Sequence, residues 1–342
     1  MPRSTDEITV TRTSAPHRSL RETTHAYLAV RPALISAHEH TGVELVYHRD
    51  DAQHTYRQSV PDLMALLGVL GRGILPEPPG AVGALVLPMP YYRRFKPEGT
   101  PVDPSTCGRI IRGRNRELLD ACARFRNDNP PSAGLPMPAL MADPFRDATD
   151  FASDYADRLE EVFALKWHPP ATERPVSAYV ERGYLDLAAD LGVPTVMHCS
   201  PEGQLGDLAE ISADAIPAAV AAGARISVAH LGFNNPALPR ILNTPGVYTD
   251  LGPWEAVCEG TVGDPGPLDS DARLARLITA CGTRLMVSLD SPWHLQRRDD
   301  GRVLGADTVP ALRRILGSLE LSGTDRHALL AGNVLPYLFG TS

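Results

Sequence analysis

At 342 residues, with 43% apolar and 22% charged residues, the chain has the composition of a globular protein large enough for a sizeable core. A net charge of −8 argues against a general nucleic-acid binder, which needs a basic face, and no apolar run approaches the ~18 residues of a membrane span. Five scattered cysteines without a C-x-x-C pair, and a polar start with no apolar leader segment, predict a reduced, cytoplasmic protein.

Residues 1–32 read as a loose arm carrying a short helix, Ser19 to Val30, placed to cross the bottom of a barrel. Residues 33–342 read as one domain. Its first strand is Ala33 to Ala37 running into His38-Glu39-His40, and an insertion over 42–80 holds a helical pattern from Val60 to Leu70, capped at Ser59 with Pro61 in its first turn. Ala81–Leu87 is the second strand and leads into Tyr91, Tyr92, Arg93, Arg94 and Lys96. A helix over Asn115–Phe125 comes next, then a third strand at Pro136–Ala142 and its helix at Phe151–Glu161.

From there the units shorten. The fourth strand ends at Lys166-Trp167-His168, the fifth at His198, the sixth at His230, the seventh at Leu251 and the eighth at Asp290, with helices between them stopped by Gly192, Gly223 and Gly282. Further helices fill Thr308–Gly340. Eight mostly apolar, non-alternating strands interleaved with helices predict a (β/α)8 TIM barrel, with its active site at the C-terminal ends of the strands. An open doubly wound sheet is the alternative, but no G-x-G-x-x-G or P-loop sequence follows any strand. The outer helices are expected to bury Leu63, Leu66, Leu119, Leu187 and Leu277.

Chemistry-bearing residues recur at those strand ends. Lys166, His198 and His230 stand 32 residues apart, and Asp290 comes 60 later. A strand, a helix and two loops take about 30 residues, so these residues lie at the same level of successive units. His38 and His40 share one face of their strand, because side chains alternate, and both rings can reach one ion. Short H-x-H matches occur by chance; the position at the end of the first strand is what gives this one weight. A lone histidine at a strand end is usually structural. His198 and His230 occupy equivalent places one unit apart, which points to His198 as a metal ligand and to His230 as a second ligand or an acid/base group. Asp290 begins an Asp-Ser-Pro turn and could serve only that; its place opposite the first strand favours a metal ligand and proton acceptor. Glu39 should point away from the site and pair with a cation, and Cys199 should be a small buried apolar residue.

The ordered set resembles the amidohydrolase superfamily, and more narrowly its amidohydrolase-related branch, which includes non-oxidative decarboxylases. The stretches that carry the resemblance are Leu165-Lys-Trp-His-Pro169, Gly192-Val-Pro-Thr-Val-Met-His198, Val228-Ala-His-Leu-Gly232, Val247-Tyr-Thr-Asp250, Ser288-Leu-Asp-Ser-Pro292 and Ala331-Gly-Asn-Val-Leu-Pro-Tyr-Leu-Phe339. It covers residue 33 to the end, apart from the insertion at 42–80 and the loop at 252–270. The resemblance implies a divalent ion, zinc first, that activates water while Asp290 takes the proton. It leaves Lys166 two roles: a carboxylated bridge between two ions, or a plain ammonium that orients an anionic substrate. A lysine snorkelling from the rim is the alternative to both. One ion on His38, His40, His198 and Asp290 is favoured over two.

Arg93, Arg94, His168 and Trp293 are candidate substrate contacts, with a second basic cluster at Arg109, Arg112, Arg114 and Arg116. A cationic mouth on an acidic protein favours an anionic small molecule. The leading expectation is a metal-dependent hydrolase of an amide, lactam, lactone or ester. A metal-dependent decarboxylase of a small cyclic or aromatic acid is the alternative, and a catalytically inactive binding barrel is the third reading. No nucleic acid or membrane is expected as a partner, and a homo-oligomer is left open.

Overall fold

In the computed structural model, residues 19–31, 33–47, 53–75, 79–90, 103–252, 278–291 and 323–340 are described. β1 (Ala33–Tyr47) pairs in parallel with β3 (Ala81–Pro88). The sheet then continues in chain order through β4 (Leu135–Met141), β5 (Ala164–Trp167), β6 (Thr195–Met197), β7 (Ile226–Val228), β8 (Val247–Asp250) and β9 (Leu285–Met286). Each of these neighbouring pairs is parallel. Beyond β9 the chain turns its hydrogen bonds to β1: Ala37 N–H donates to Val287 O at 2.9 Å, Asp290 N–H to His38 O at 3.1 Å, and His40 N–H to Ser291 O at 2.8 Å. Those bonds join the last strand to the first, as a (β/α)8 barrel requires.

The expected eighth strand is thereby redrawn. Only Leu285 and Met286 pair with β8, and residues 287–291 instead form the seam with β1. The insertion also holds more than a helix. β1 runs on to Tyr47 and turns back as β2 (Gln53–Gln58), antiparallel in a register from Gly42 opposite Gln58 to Tyr47 opposite Gln53. One edge of β1 is therefore shared, by the seam below and by β2 above.

Helix α1 (Leu20–Ala29) starts at a capping box: Ser19 Oγ accepts from Glu22 N–H, and the Glu22 carboxylate accepts from Ser19 N–H. Helix α2 (Val60–Ile74) is capped at Ser59 as expected, with Asp62 returning the bond, and buries Leu63, Met64, Leu67 and Leu70 along one face. Helix α3 (Pro104–Asp128) begins eleven residues before the expected Asn115, because Asp103 accepts from Thr106 N–H at 3.0 Å ahead of Pro104. The helix expected over Phe151–Glu161 is instead α4 (Ala148–Ser153) and then a 3-10 turn at Leu159–Glu161. There the Ser153 hydroxyl bonds back to Thr149 O at 2.9 Å, and Asp154 and Asp157 are weak helix formers.

Two apolar layers arise from the alternation of the strands. Leu34, Val86, Leu165, Trp167 and Val228 face outward against Leu63, Leu67, Leu119 and Tyr179. Ile35, Ala37, Leu85, Leu87, Met137, Ala164, Val196 and Met286 fill the barrel. Leu66 and Leu187 pack partly buried on the outer layer, while Leu277 lies outside the described residues. At the barrel bottom, Leu28 of α1 and Val334, Tyr337 and Leu338 of the helix Val334–Phe339 join the inner cluster, so α1 closes that end as its position predicts. No described helix is long and apolar enough to cross a membrane.

Candidate metal centre

His38 and His40 reach the barrel interior because β1 carries a bulge. Ser36 pairs with Ala84 but Glu39 with Val86, so three steps on β1 match two on β3. Ile35 and Ala37 already face inward. Strict alternation would then put Glu39 inside and both histidines outside; the extra residue reverses that phase. Lys166, His168 and His198 need no such device, since they lie at even spacing from the inward Ala164 and Val196.

The other two positions are reached through left-handed backbone. Val228 faces out and Ala229 in, so His230 would face out on a regular strand; its φ of +58° turns it back. Asp290 has a φ of +52°. Non-glycine residues in that region cost of order 1–3 kcal/mol each and persist only where surrounding contacts hold them.

Of the expected residues, the barrel brings His38, His40, Lys166, His168, His198, His230 and Asp290 together. His38 Nε2 lies 3.2 Å from His40 Nε2 and 3.5 Å from Asp290 Oδ1, and His40 Nε2 lies 3.2 Å from the same oxygen. His230 Nδ1 is 3.5 Å from Asp290 Oδ2, and its Nε2 is 3.2 Å from His198 Nδ1. Lys166 Nζ stands 3.1 Å from His38 Nε2. His168 stacks on His198 with centroids 4.1 Å apart, and its Nδ1 accepts from Ala171 N–H at 3.2 Å. Arg93, Arg94 and Trp293 lie outside the described residues. Of the second basic cluster, Arg114 fastens the Met89 and Pro90 carbonyls and Arg112 faces Asp154 at 3.9 Å.

The donor set fits a divalent cation. His38 Nδ1 faces the Asp250 carboxylate at 3.4 Å, His40 Nδ1 faces Pro88 O at 3.0 Å, and His230 Nδ1 faces Gly252 O at 2.5 Å. Each acceptor holds the ring proton on Nδ1 and leaves the Nε2 lone pair directed inward. Two lone pairs 3.2 Å apart, at His38 and His40, repel unless a cation lies between them. Asp290 Oδ1 is buried without a hydrogen-bond donor. The triangle of 3.2, 3.2 and 3.5 Å sides has the spacing that ligand atoms about 2.0–2.1 Å from one small divalent ion would take, about 3.3–3.4 Å. His38, His230 and Asp290 also group within 4.8 Å.

Charge is balanced at close range. Burial, reinforced by the Lys166 ammonium, pushes His38 well below the usual histidine range and keeps its lone pair available. Burial alone would raise the Asp290 carboxyl, but His38, His230 and His40 around it hold it well below the usual carboxylate range. Burial lowers Lys166 to about 8, opposed by the carboxylates of Asp290 and Asp250.

Two residues play parts that their sequence positions alone did not assign. Asp250, at the end of β8, touches His38 Nδ1, His230 N–H at 3.4 Å and the Ser288 hydroxyl at 3.0 Å. The signal that could have found it is its strand-end place, shared with the other site residues. Glu39 faces away from the centre as expected, but no cation pairs with it among the described residues. It accepts from the Ser36 hydroxyl and from Leu289 and Ser291 N–H, both at 2.9 Å. Cys199 is a buried free thiol on the outer face.

No family model matches the sequence, and no curated protein matches it. Solved structures share its fold. An amidohydrolase from Burkholderia multivorans with bound HEPES superposes with a TM-score of 0.55 at 16% identity, over 91% of this chain and 100% of that one. A probable 2-pyrone-4,6-dicarboxylic acid hydrolase from Acinetobacter baumannii with citric acid bound gives 0.53 at 11% identity, over 90% and 99%. An uncharacterized TIM-barrel protein from Bordetella bronchiseptica gives 0.51 at 10%, over 90% and 98%. The chain thus shares the (β/α)8 barrel fold of these structures.

Proposed function

We propose that this chain is a metal-dependent hydrolase of the amidohydrolase superfamily, acting on an amide, lactam, lactone or ester of a small anionic substrate. The observation that supports this best is the triangle of His38, His40 and Asp290, with the two imidazoles tied at Nδ1 so that their Nε2 lone pairs converge beside Asp290 Oδ1. A bound divalent ion supplies Lewis acidity and brings the pKa of a water near 7. Asp290, whose buried Oδ1 has no hydrogen-bond donor, would help hold the ion, and its Oδ2, 3.5 Å from His230 Nδ1, would serve as the proton acceptor. His230 lies between Asp290 and His198, and its Nε2 lone pair, 3.2 Å from His198 Nδ1, would take up or release a proton beside the substrate or join His198 as a ligand. Lys166, buried at the same centre, attracts and orients a substrate carboxylate.

One ion is the favoured occupancy, zinc first. Lys166 Nζ points into the cluster and not into a pocket of its own, which keeps a second ion on His198 and His230, bridged by carboxylated Lys166, as the alternative. The same lysine favours decarboxylation of a small acid as the second reading, since it would hold a carboxylate beside the ion.

Metal analysis of the purified chain, before and after chelation, tests the proposal alongside hydrolysis of a panel of small cyclic acids, amides and lactones. About one equivalent of zinc, manganese or iron is expected, with activity lost on chelation and most of the ion lost in His198→Ala. Full activity in metal-free protein refutes the proposal. Carbon dioxide release without hydrolysis selects the second reading, and a wild-type chain that holds no metal selects the inactive barrel.

A further inference from the structure

Asp290 contributes its carboxylate from a backbone conformation that a non-glycine residue adopts only under constraint. The constraint is local and comes from the first strand. Leu289 N–H and Ser291 N–H, on either side of Asp290, donate to the two oxygens of Glu39, each at 2.9 Å. Asp290 N–H donates to His38 O at 3.1 Å, and His40 N–H returns a bond to Ser291 O at 2.8 Å. Three consecutive amides thus end on residues 38 and 39.

A second clamp comes from the hairpin. Gln58, the last residue of β2, is buried; its Nε2 donates to His40 O at 3.1 Å and its Oε1 accepts the Ser291 hydroxyl. The hairpin has no counterpart in a minimal βα unit, yet its final side chain ties the H-x-H strand to the segment bearing Asp290. Glu39 is fully buried, and a buried carboxylate that serves only backbone amides and a hydroxyl is an expensive way to close a seam. Ordinary strand pairing would close it with no side chain at all.

We infer that Glu39 and Gln58 are positioning residues that hold the strained Asp290 backbone, and through it aim the Asp290 carboxylate at His38 and His40. This rests on the reading of Asp290 as a metal ligand. Glu39 acts across the seam, gripping both sides of Asp290, and Gln58 fixes Ser291 against His40. A seam residue without this role would change thermal stability and leave the geometry at the ion untouched.

The test uses Co2+ as the probe on the full chain stripped by chelation, read by visible d–d absorption, by affinity in competition with a chelator, and by hydrogen exchange at residues 289–291. Glu39→Gln places an amide NH2 against one of the two backbone donors, so one grip is lost. The expected result is Co2+ affinity about tenfold to hundredfold weaker, an absorption spectrum moved toward that of Asp290→Asn, and faster exchange at 289–291. The double variant Glu39→Gln/Asp290→Asn should bind no more weakly than Asp290→Asn alone, because both changes act on one contact. Gln58→Met should move the spectrum in the same direction by less. A folded Glu39→Gln with the wild-type spectrum and affinity overturns the inference, as does an effect that adds fully to that of Asp290→Asn. Where Glu39→Gln does not fold, Gln58→Met and Ser36→Ala decide, and wild-type spectra in both overturn it. A wild-type chain that takes up no Co2+ fails one step earlier and overturns the proposed metal centre itself.

Discussion

Replacing Asp250 by asparagine should cost metal affinity far more than it costs the fold. The carboxylate faces His38 Nδ1 at 3.4 Å while receiving His230 N–H at 3.4 Å and the Ser288 hydroxyl at 3.0 Å. An asparagine of the same shape has one acceptor and one donor end. With its oxygen kept on Ser288 and the His230 amide, its NH2 meets His38 Nδ1. That ring must then switch tautomer, accept at Nδ1, and carry its proton on Nε2, directly in the centre. Loss of an outer partner of a ligating histidine typically weakens binding about tenfold to hundredfold, and each tenfold is about 1.4 kcal/mol. Stability of the metal-free chain should change little, because burial already raises the Asp250 carboxyl and a neutral amide is cheaper to bury. Zinc affinity by chelator competition, thermal unfolding of the stripped protein, and the His38 tautomer from 15N NMR measure the three parts. An Asp250→Asn chain with wild-type zinc affinity refutes the tautomer argument. Equal losses of affinity and stripped-protein stability would refute the claim that the contact serves the site.

Leu119, fully buried between α3 and the sheet, should cost about 2–5 kcal/mol on truncation to alanine; denaturant unfolding checks this, with metal stoichiometry unchanged. Burial raises the Asp143 carboxyl, whose Oδ2 is buried without a donor. The native state therefore holds that proton more tightly than the unfolded chain, so its contribution is complete below the unfolded value of about 3.9 and is lost as pH rises through the raised native value. Asp143→Asn should flatten that decline in a stability–pH series, and an unchanged slope contradicts the assignment. Lys166→Ala should keep the wild-type ion count if one ion is bound; restoration of activity by added short carboxylates would instead reveal a bridging role and two ions.

Much of the architecture could be read locally. The caps at Ser19 and Ser59, the stops at Gly192 and Gly223, and the strand-end spacing of Lys166, His198 and His230 depend on neighbours within a few residues or on one repeated unit length, and both leave a trace in a single sequence. The β1–β2 hairpin was less legible, because the long helical run of α2 dominates the pattern of 42–80. What the sequence could not determine is which way several site residues face. A period of two places His38 and His40 together, but only the bulge against β3 turns them inward, and a bulge is defined by the register of a partner strand. His230 and Asp290 reach the centre through positive φ angles that non-glycine residues adopt only when held. The groups that hold them, Asp250 for His230 and Glu39 for Asp290, are 20 and about 250 residues away in sequence. Residue types and spacing picked out the residues that gather at the strand ends, whereas their orientation came from hydrogen bonds that exist only once the last strand meets the first.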